Sequence, residues 1–339
     1  MPLQYIVLTQ IINKNMPFIL SGSRIYIAGH TGMVGSAIMN RLRRLGFANL
    51  VTRSHADLDL LDQQAVRAFF QQEQIDCVIL AAARVGGILA NATFPADFIY
   101  QNLAIQNNVI HEAWQAGVQN LLFLGSSCIY PKLASQPMKE EYLLTGPLEP
   151  TNEPYAIAKI AGIKMCEAYN RQYNTSYFAV MPTNLYGPGD HYGLQNSHVL
   201  PALIRKMHDA KMGGQKEVVL WGTGTARREF LHCNDLAAAI GFLLSMDRDT
   251  LFSSFAAHGT PLINIGYGKD ITIQELAHKI RRITGFTGEI IWDKTKPDGT
   301  PQKLLDVSRI KALGWQPAIS LSDGIHDTYL NYSTGMVEV

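Results

Sequence analysis

The chain has 339 residues, 47% of them hydrophobic and 17% charged, which is ample material for a core and carries no signature of disorder. That length exceeds one usual domain and fits a large domain with a smaller partner. A formal net charge of +1 leaves no electrostatic footprint for nucleic acid or for an anionic membrane surface, so an anionic ligand must be held by local groups. The four cysteines, Cys77, Cys128, Cys166 and Cys233, lie far apart, with no CxxC pair and no zinc spacing. Reduced thiols, no metal and a cytoplasmic location are expected.

Residues 1–22 read as a loosely ordered N-terminal extension. They include apolar residues but no basic leader, and Gln10, Asn13, Lys14 and Asn15 interrupt them, so neither a signal peptide nor a membrane span fits. Met16 offers a second possible start. From Arg24 onward, strand and helix patterns alternate. "RIYIA" is a short apolar run, followed by a glycine-rich turn and an amphipathic segment through "SAIMNRLRRLG". "LVT" (50–52), "CVILAAA" (77–83), "LLFLGSS" (121–127) and "YFAVMP" (177–182) are further strands. Helical patterns at "QQAVRAFFQQEQ", 95–116 and "PYAIAKIAGIKMCEAYNRQY" separate them. Apolar runs alternating with helices predict an α/β fold, a Rossmann-type doubly wound parallel sheet covered on both faces.

After Tyr186 the texture changes. Gly and Pro rise in "LYGPGDHYG", and "EVVLWG", "LINIG", "TIQELAHKIRRITG" and "EIIWD" are shorter and more mixed. They predict a smaller α/β lobe over the carboxyl ends of the first sheet. The expected division gives 23–185 and 229–260 to the dinucleotide-binding domain, and 186–228 and 261–339 to a substrate-binding domain.

The turn "GHTGMVG" places Gly29, Gly32 and Gly35 between a strand and a helix. Glycines there permit positive φ and close approach of the backbone to a pyrophosphate at the helix N-terminus. An acidic residue after the second strand would select NAD through the ribose hydroxyl. This chain has Arg53, Ser54 and His55 instead, which predicts a site for the 2′-phosphate of NADP. In "PYAIAK", Tyr155 and Lys159 stand at i and i+4 and share a helix face. A tyrosine with an ordinary pKa of about 10 needs a nearby positive charge to exchange protons near neutrality. With Ser126 at a strand end, the pair makes the proton-donating side of a carbonyl reductase. Cys128, beside it, reads either as a small apolar filler or as a thiol at the ligand end of a parallel sheet.

These features resemble the extended short-chain dehydrogenase/reductase family. At "GSSCIYPK", "EPTNEPYAIAKIAG", "MPTNLYGP", "NSHVLPAL", "REFLH" and "KPDGTP" the chain is similar, over about residues 24 to 335, to that family's GDP-L-fucose synthases. The resemblance implies NADPH-dependent 3,5-epimerisation and 4-reduction of GDP-4-keto-6-deoxy-D-mannose, in a homodimer, with no nucleic-acid or membrane partner. It implies catalytic roles for Ser126, Cys128, Tyr155, Lys159 and His198, with Cys128 and His198 as the acid and base for inversion at C3 and C5. It implies a cofactor site lined by Gly29, Thr31, Gly32, Met33, Val34, Gly35, Arg53, His55, Asp59 and Leu60. The same site takes in Leu124, Gly125, Ser126 and Ser127, then Tyr155 and Lys159, then Pro182, Thr183, Asn184, Leu185 and His198. Lys206, Trp221, Arg228 and Asp298 are implied substrate contacts. One departure stands out: the family commonly has arginine where this chain has Thr31, and often another at His55, so a weakened NADPH preference is expected. Another nucleotide-sugar epimerase or dehydratase holding NAD(P) is the alternative, although "SSC" stands where a 4,6-dehydratase carries a Thr-Asp-Glu type set. An idle nucleotide sensor on the same fold would predict loss of Tyr155 or Lys159, and both are present.

Overall fold

The computed structural model describes residues 16–193, 197–296 and 298–335. Strand β1 (Ile25–Ala28) is buried along its whole length and runs through the glycine turn into α1 (Met33–Arg44). β2 (Leu50–Val51) is followed by α2 (Gln63–Gln72), whose N-cap Asp62 accepts from the amides of Gln64 and Ala65. β3 (Cys77–Leu80), the short α3 (Ile88–Thr93) and the long α4 (Pro95–Gln115) lead to β4 (Asn120–Leu124). Then come α5 (Glu153–Tyr173), β5 (Ser176–Pro182) and β6 (Asn184–Tyr186). The second half holds α6 (Val199–Met212), β7 (Glu217–Trp221), β8 (Arg227–His232), α7 (Cys233–Ser245), α8 (Arg248–Ala256) and β9 (Leu262–Ile265). It closes with β10 (Asp270–Thr272), α9 (Ile273–Thr284), β11 (Glu289–Asp293), β12 (Gln302–Lys303), α10 (Ser308–Ala312) and α11 (Leu321–Thr334).

The first sheet has the order β2-β1-β3-β4-β5-β9, and every pairing in it is parallel. Its inner strands are continuous apolar runs because helices cover both faces. From β1 the chain moves to one side for β2 and returns on the other for β3. That reversal opens a crevice at the carboxyl ends of β1 and β3, where ligands of doubly wound sheets bind. A second core gathers Tyr186, Leu203, Met207, Phe230, Leu276 and Ile325. Around it lie the β10-β8-β12 sheet, β6 paired to β8, and the parallel β7–β11 ribbon. Because β6 begins two residues after β5 ends, this second layer starts at the carboxyl edge of the first sheet.

The expected boundary at 260/261 leaves "LINI" with the second lobe, whereas its pairing makes β9 the sixth strand of the first sheet. Leu305, Val307, Ile310 and Trp315 also pack into the first core. A four-residue apolar run carries no mark of which sheet it joins, so its pattern alone assigned it to the wrong one. The extension differs as well. Residues 1–15 lie outside the described residues, but Phe18 and Ile19 are only 3% and 4% exposed, and their amides donate to the carbonyls of Met246 and Leu244. Each such burial contributes about 1.5–3 kcal/mol, so residues 16–19 are anchored rather than loose.

Candidate active site

Gly29 adopts φ +87°, and a Cβ there would fall 2.7 Å from the Ala82 amide nitrogen. A Cβ on Gly35 would fall 2.0 Å from the Gly29 carbonyl oxygen, so glycine at both positions lets the turn fold against β3 and α1. Gly32 differs: it is exposed and has room beside it. As N-cap of α1 it offers no side-chain cap, and the first turn holds no acid. The leading amides and the positive helix end therefore face the crevice unclaimed, which suits a pyrophosphate. Met33 and Val34 are half-buried in that first turn and Thr31 is exposed at its edge.

Arg53 follows β2, as expected, but it is already engaged. It pairs with Glu73 at the end of α2, donates to the Thr52 carbonyl at 2.8 Å and lies 5.4 Å over the Phe69 ring. Arg24 pairs with the same Glu73. His55 is exposed, with Nδ1 3.8 Å from Asp59, whose other contact is the Leu61 amide at 2.9 Å. The neighbouring Leu60 presents its carbonyl to Asn108.

Four of the five expected catalytic side chains meet at the end of β4. Ser126 caps a single 3₁₀ turn, Ser127–Ile129, and its hydroxyl accepts from the Cys128 amide at 3.5 Å. The same hydroxyl stands close enough to the Tyr155 phenol and the Cys128 thiol to oppose the rise that burial imposes on both. α5 delivers Tyr155 because it packs tightly on β4: a Cβ on Gly162 would fall 2.5 Å from the Phe123 ring. Gln106 of α4 adds a 2.7 Å bond to the Ala158 carbonyl. Leu124, Gly125 and Ser127 border this cluster on the chain. Pro182, Thr183, Asn184 and Leu185 stand at the end of the neighbouring β5. Thr183 and Asn184 are tied to the Glu229 carbonyl at 3.2 and 2.8 Å.

The electrostatics depart from expectation at Tyr155. Burial pushes its pKa well above the ordinary value, the Cys128 thiol adds to the rise, and only Ser126 opposes it. Lys159 does not reach the phenol. Its Nζ donates to the Leu124 carbonyl at 2.8 Å and lies 4.7 Å over the Phe123 ring, while the Tyr155 ring centroid is 5.8 Å away. A phenol in this setting holds its proton firmly, which fits a donor rather than a pre-ionised base. Burial also raises the Cys128 thiol, partly offset by Ser126, Lys303 and Lys159.

Burial lowers Lys159 from its ordinary 10.5 to about 8. Below pH 8 folded and unfolded chains both carry this proton, and the folded one bears the desolvation cost, on the order of 3 kcal/mol. Between pH 8 and 10.5 the unfolded chain binds more protons than the folded one, so the cost fades as pH rises. Lys159→Met should therefore gain most melting temperature relative to the parent below pH 8, with the difference shrinking towards pH 10. A melting-temperature difference that stays flat from pH 6 to 10 would show that Lys159 is not desolvated.

His198, the fifth expected residue, is N-cap of α6 in the second layer, and no hydrogen bond joins it to the other four. The residue is exposed, yet the protein around the ring lowers its pKa by desolvation. We read it as lining an open cleft rather than sealed in a core. Among the expected substrate contacts, Lys206 Nζ lies 5.9 Å from the Trp221 ring centroid. Arg228 is largely desolvated and lies in the field of Asp298, whose carboxylate is held by Thr223. The sequence reading passed over Lys303. It stands opposite Arg228 in the β12–β8 register, within electrostatic reach of Cys128. Only strand pairing across 75 residues could have revealed it. Surface clefts of about 620 and 630 Å³ lie elsewhere, bordered by Pro131, Tyr142 and Pro147, and by Arg227, Lys269 and Arg281. Neither contains the Ser126 cluster.

Residues 25–252 match the model of the family described as "NAD dependent epimerase/dehydratase family". GDP-L-fucose synthase 1 of Arabidopsis thaliana is 57% identical over 307 residues, covering 91% of this chain and 92% of its own. The GDP-L-fucose synthase of Escherichia coli (strain K12) is 55% identical over 313 residues, covering 91% and 96%. Among solved structures, MlghC, the GDP-mannoheptose C4 reductase from Campylobacter jejuni with NADP bound, superposes with a TM-score of 0.83 at 42% identity, covering 93% and 99%.

Proposed function

The chain belongs to the NAD dependent epimerase/dehydratase family, and from that premise we propose the reaction of its GDP-L-fucose synthase relatives: GDP-4-keto-6-deoxy-D-mannose is epimerised at C3 and C5, then reduced at C4 to GDP-L-fucose. The observation that carries this reading is the end of β4, where the Ser126 hydroxyl accepts from the Cys128 amide and acts on both the Tyr155 phenol and the Cys128 thiol. An acid suited to ketone reduction and a thiol suited to proton exchange at the adjoining carbons thus share one strand end. Assay with GDP-4-keto-6-deoxymannose and with GDP-mannose tests it. NADPH consumption with the first alone is expected, and consumption with neither would sink the reading.

NADP(H) is the cofactor, and when bound it supplies the hydride for C4. The bare α1 amides behind Gly32 are suited to its pyrophosphate and Arg53 to its 2′-phosphate, with Thr31 and His55 alongside. Tyr155 gives its proton to the C4 oxygen as charge develops there, and Ser126 orients that phenol. Lys159, charged below pH 8, braces the strand end through the Leu124 carbonyl. His198, pushed towards the neutral form, is ready to take a proton from carbon, and Cys128, pushed towards the thiol, is ready to give one. Lys206 and Arg228 neutralise the diphosphate. We assign the enzyme to the cytoplasm; no helix among the described residues is long and apolar enough to cross a membrane. A homodimer through α4 and α5 accounts for the exposure of Tyr100 and Ile157, 68% and 42%.

Cofactor choice follows from Arg53. Glu73 holds the guanidinium, but Arg53 is more than a third exposed, so the pair is worth at most about 1 kcal/mol, or about fivefold. Glu73→Gln should raise the NADPH-to-NADH ratio of kcat/KM by up to that factor. Thr31→Arg adds a charge-assisted bond of roughly 1.5–3 kcal/mol and should raise it tenfold or more. Steady-state kinetics with both cofactors checks this, and unchanged ratios in both variants would place the phosphate elsewhere.

A further inference from the structure

Trp221 ends β7 with 61% of its surface exposed, and Val219 and Ile291 on the adjoining ribbon are 47% and 39% exposed. A broad aromatic left this open is a stacking platform. Two ammonium groups border it: Lys206 Nζ lies 5.9 Å and Lys296 Nζ 5.7 Å from the ring centroid. A cation resting on the ring would stand about 3.5–4 Å away. Both ammonium groups therefore lie over the indole but beyond contact distance of it. Asp298 is held at the same corner. The Thr223 amide and hydroxyl each donate to its carboxylate at 2.7 Å, and a Cβ on Gly222, next to Trp221, would fall 2.2 Å from its Oδ1. A carboxylate holding those two bonds keeps free lone pairs.

We propose that Lys296, with Asp298, reads the edge of a guanine stacked on Trp221. This rests on the guanosine diphosphate sugar being the substrate, and it names what selects the base. The Lys296 ammonium donates to O6 or N7, while Asp298 accepts from the adjoining N1–H and 2-amino group. Adenine presents an amino donor where guanine presents O6, so it meets Lys296 donor against donor. Uracil has no N7 and covers less of the indole. Lys206, whose ammonium is partly desolvated and rooted on α6, is left for the diphosphate.

The test is isothermal titration of the cofactor-free protein with GDP, ADP and UDP. Lys296 is exposed, so Lys296→Met should fold as the parent does. It should weaken GDP roughly tenfold to a hundredfold, the range of a lost charge-assisted hydrogen bond, while ADP and UDP change by less than about threefold. Asp298→Asn should remove the parent's preference for GDP over inosine diphosphate, which lacks the 2-amino group. Equal weakening of all three nucleotides by Lys296→Met would make it a phosphate ligand and overturn the proposal, as would no change at all. A parent that binds ADP or UDP as tightly as GDP would overturn the substrate reading itself. A selective parent whose selectivity survives both substitutions would overturn only this assignment.

Discussion

Tyr155→Phe should abolish NADPH oxidation with GDP-4-keto-6-deoxymannose while solvent deuterium still enters the sugar at C3 and C5. The phenol stands beside Ser126, and burial keeps it protonated through any working pH. Phenylalanine keeps the ring and its edge-on contact with Phe98, at 6.2 Å between centroids, so packing should survive. What is lost is the proton proposed for the developing alkoxide, and general acids contribute about 10²–10⁴ in rate. Exchange at carbon depends on Cys128 and His198 and should continue, although slowed where Tyr155 helps polarise the ketone. Hydride consumption and proton NMR in deuterium oxide read the two halves separately. Undiminished reduction would remove Tyr155 from the chemistry. Loss of both halves together would mean that one group serves both steps.

What the sequence disclosed was set by local geometry, and what it concealed was set by pairing at a distance. The glycine turn was legible because positive φ and a bare helix end need glycine at fixed spacing. Tyr155 and Lys159 were legible as a pair because a helix stacks i over i+4. The direction of Lys159 was not, since the Leu124 carbonyl that captures it belongs to a strand 35 residues earlier. The same holds for Arg53: its residue type pointed to phosphate, but Glu73, 20 residues on, already holds it. Lys303 and Lys296 gain their meaning only once β12 pairs β8 and β11 pairs β7. Phe18 and Ile19 looked like part of a loose extension because nothing local announces that β5 and α8 supply Phe178 and Phe252 to Phe18, or that the Leu244 carbonyl takes the Ile19 amide.

Cys128→Ser should cost the enzyme its inversions at C3 and C5 while leaving substrate binding intact. Each inversion needs a base on one ring face and an acid on the other, and neither Tyr155 nor Ser126 can stand on both faces while oriented at the ketone oxygen. In the free protein the two candidates are held in opposite states. Burial raises the Cys128 thiol above its ordinary 9.0 and keeps it protonated; desolvation lowers His198 below its ordinary 6.5 and keeps it neutral. That is a ready acid and a ready base. Serine matches the shape of cysteine, but its hydroxyl is far less acidic, so the substitution removes the ready acid and little else. The rate of inversion should fall by about 10²–10⁴. If His198 is the base, deuterium should still enter slowly in Cys128→Ser, returning to the face it left, whereas His198→Asn should suppress entry altogether. The pH profile follows with the same signs: inversion fails in acid as His198 takes a proton, below about pH 6.5, and fails in alkali as the thiol ionises, above about pH 9. Proton NMR of the sugar in deuterium oxide, with NADP⁺ present and no hydride source, measures both entry and inversion. Full-speed inversion in Cys128→Ser would return the thiol to the status of an apolar filler at the end of β4.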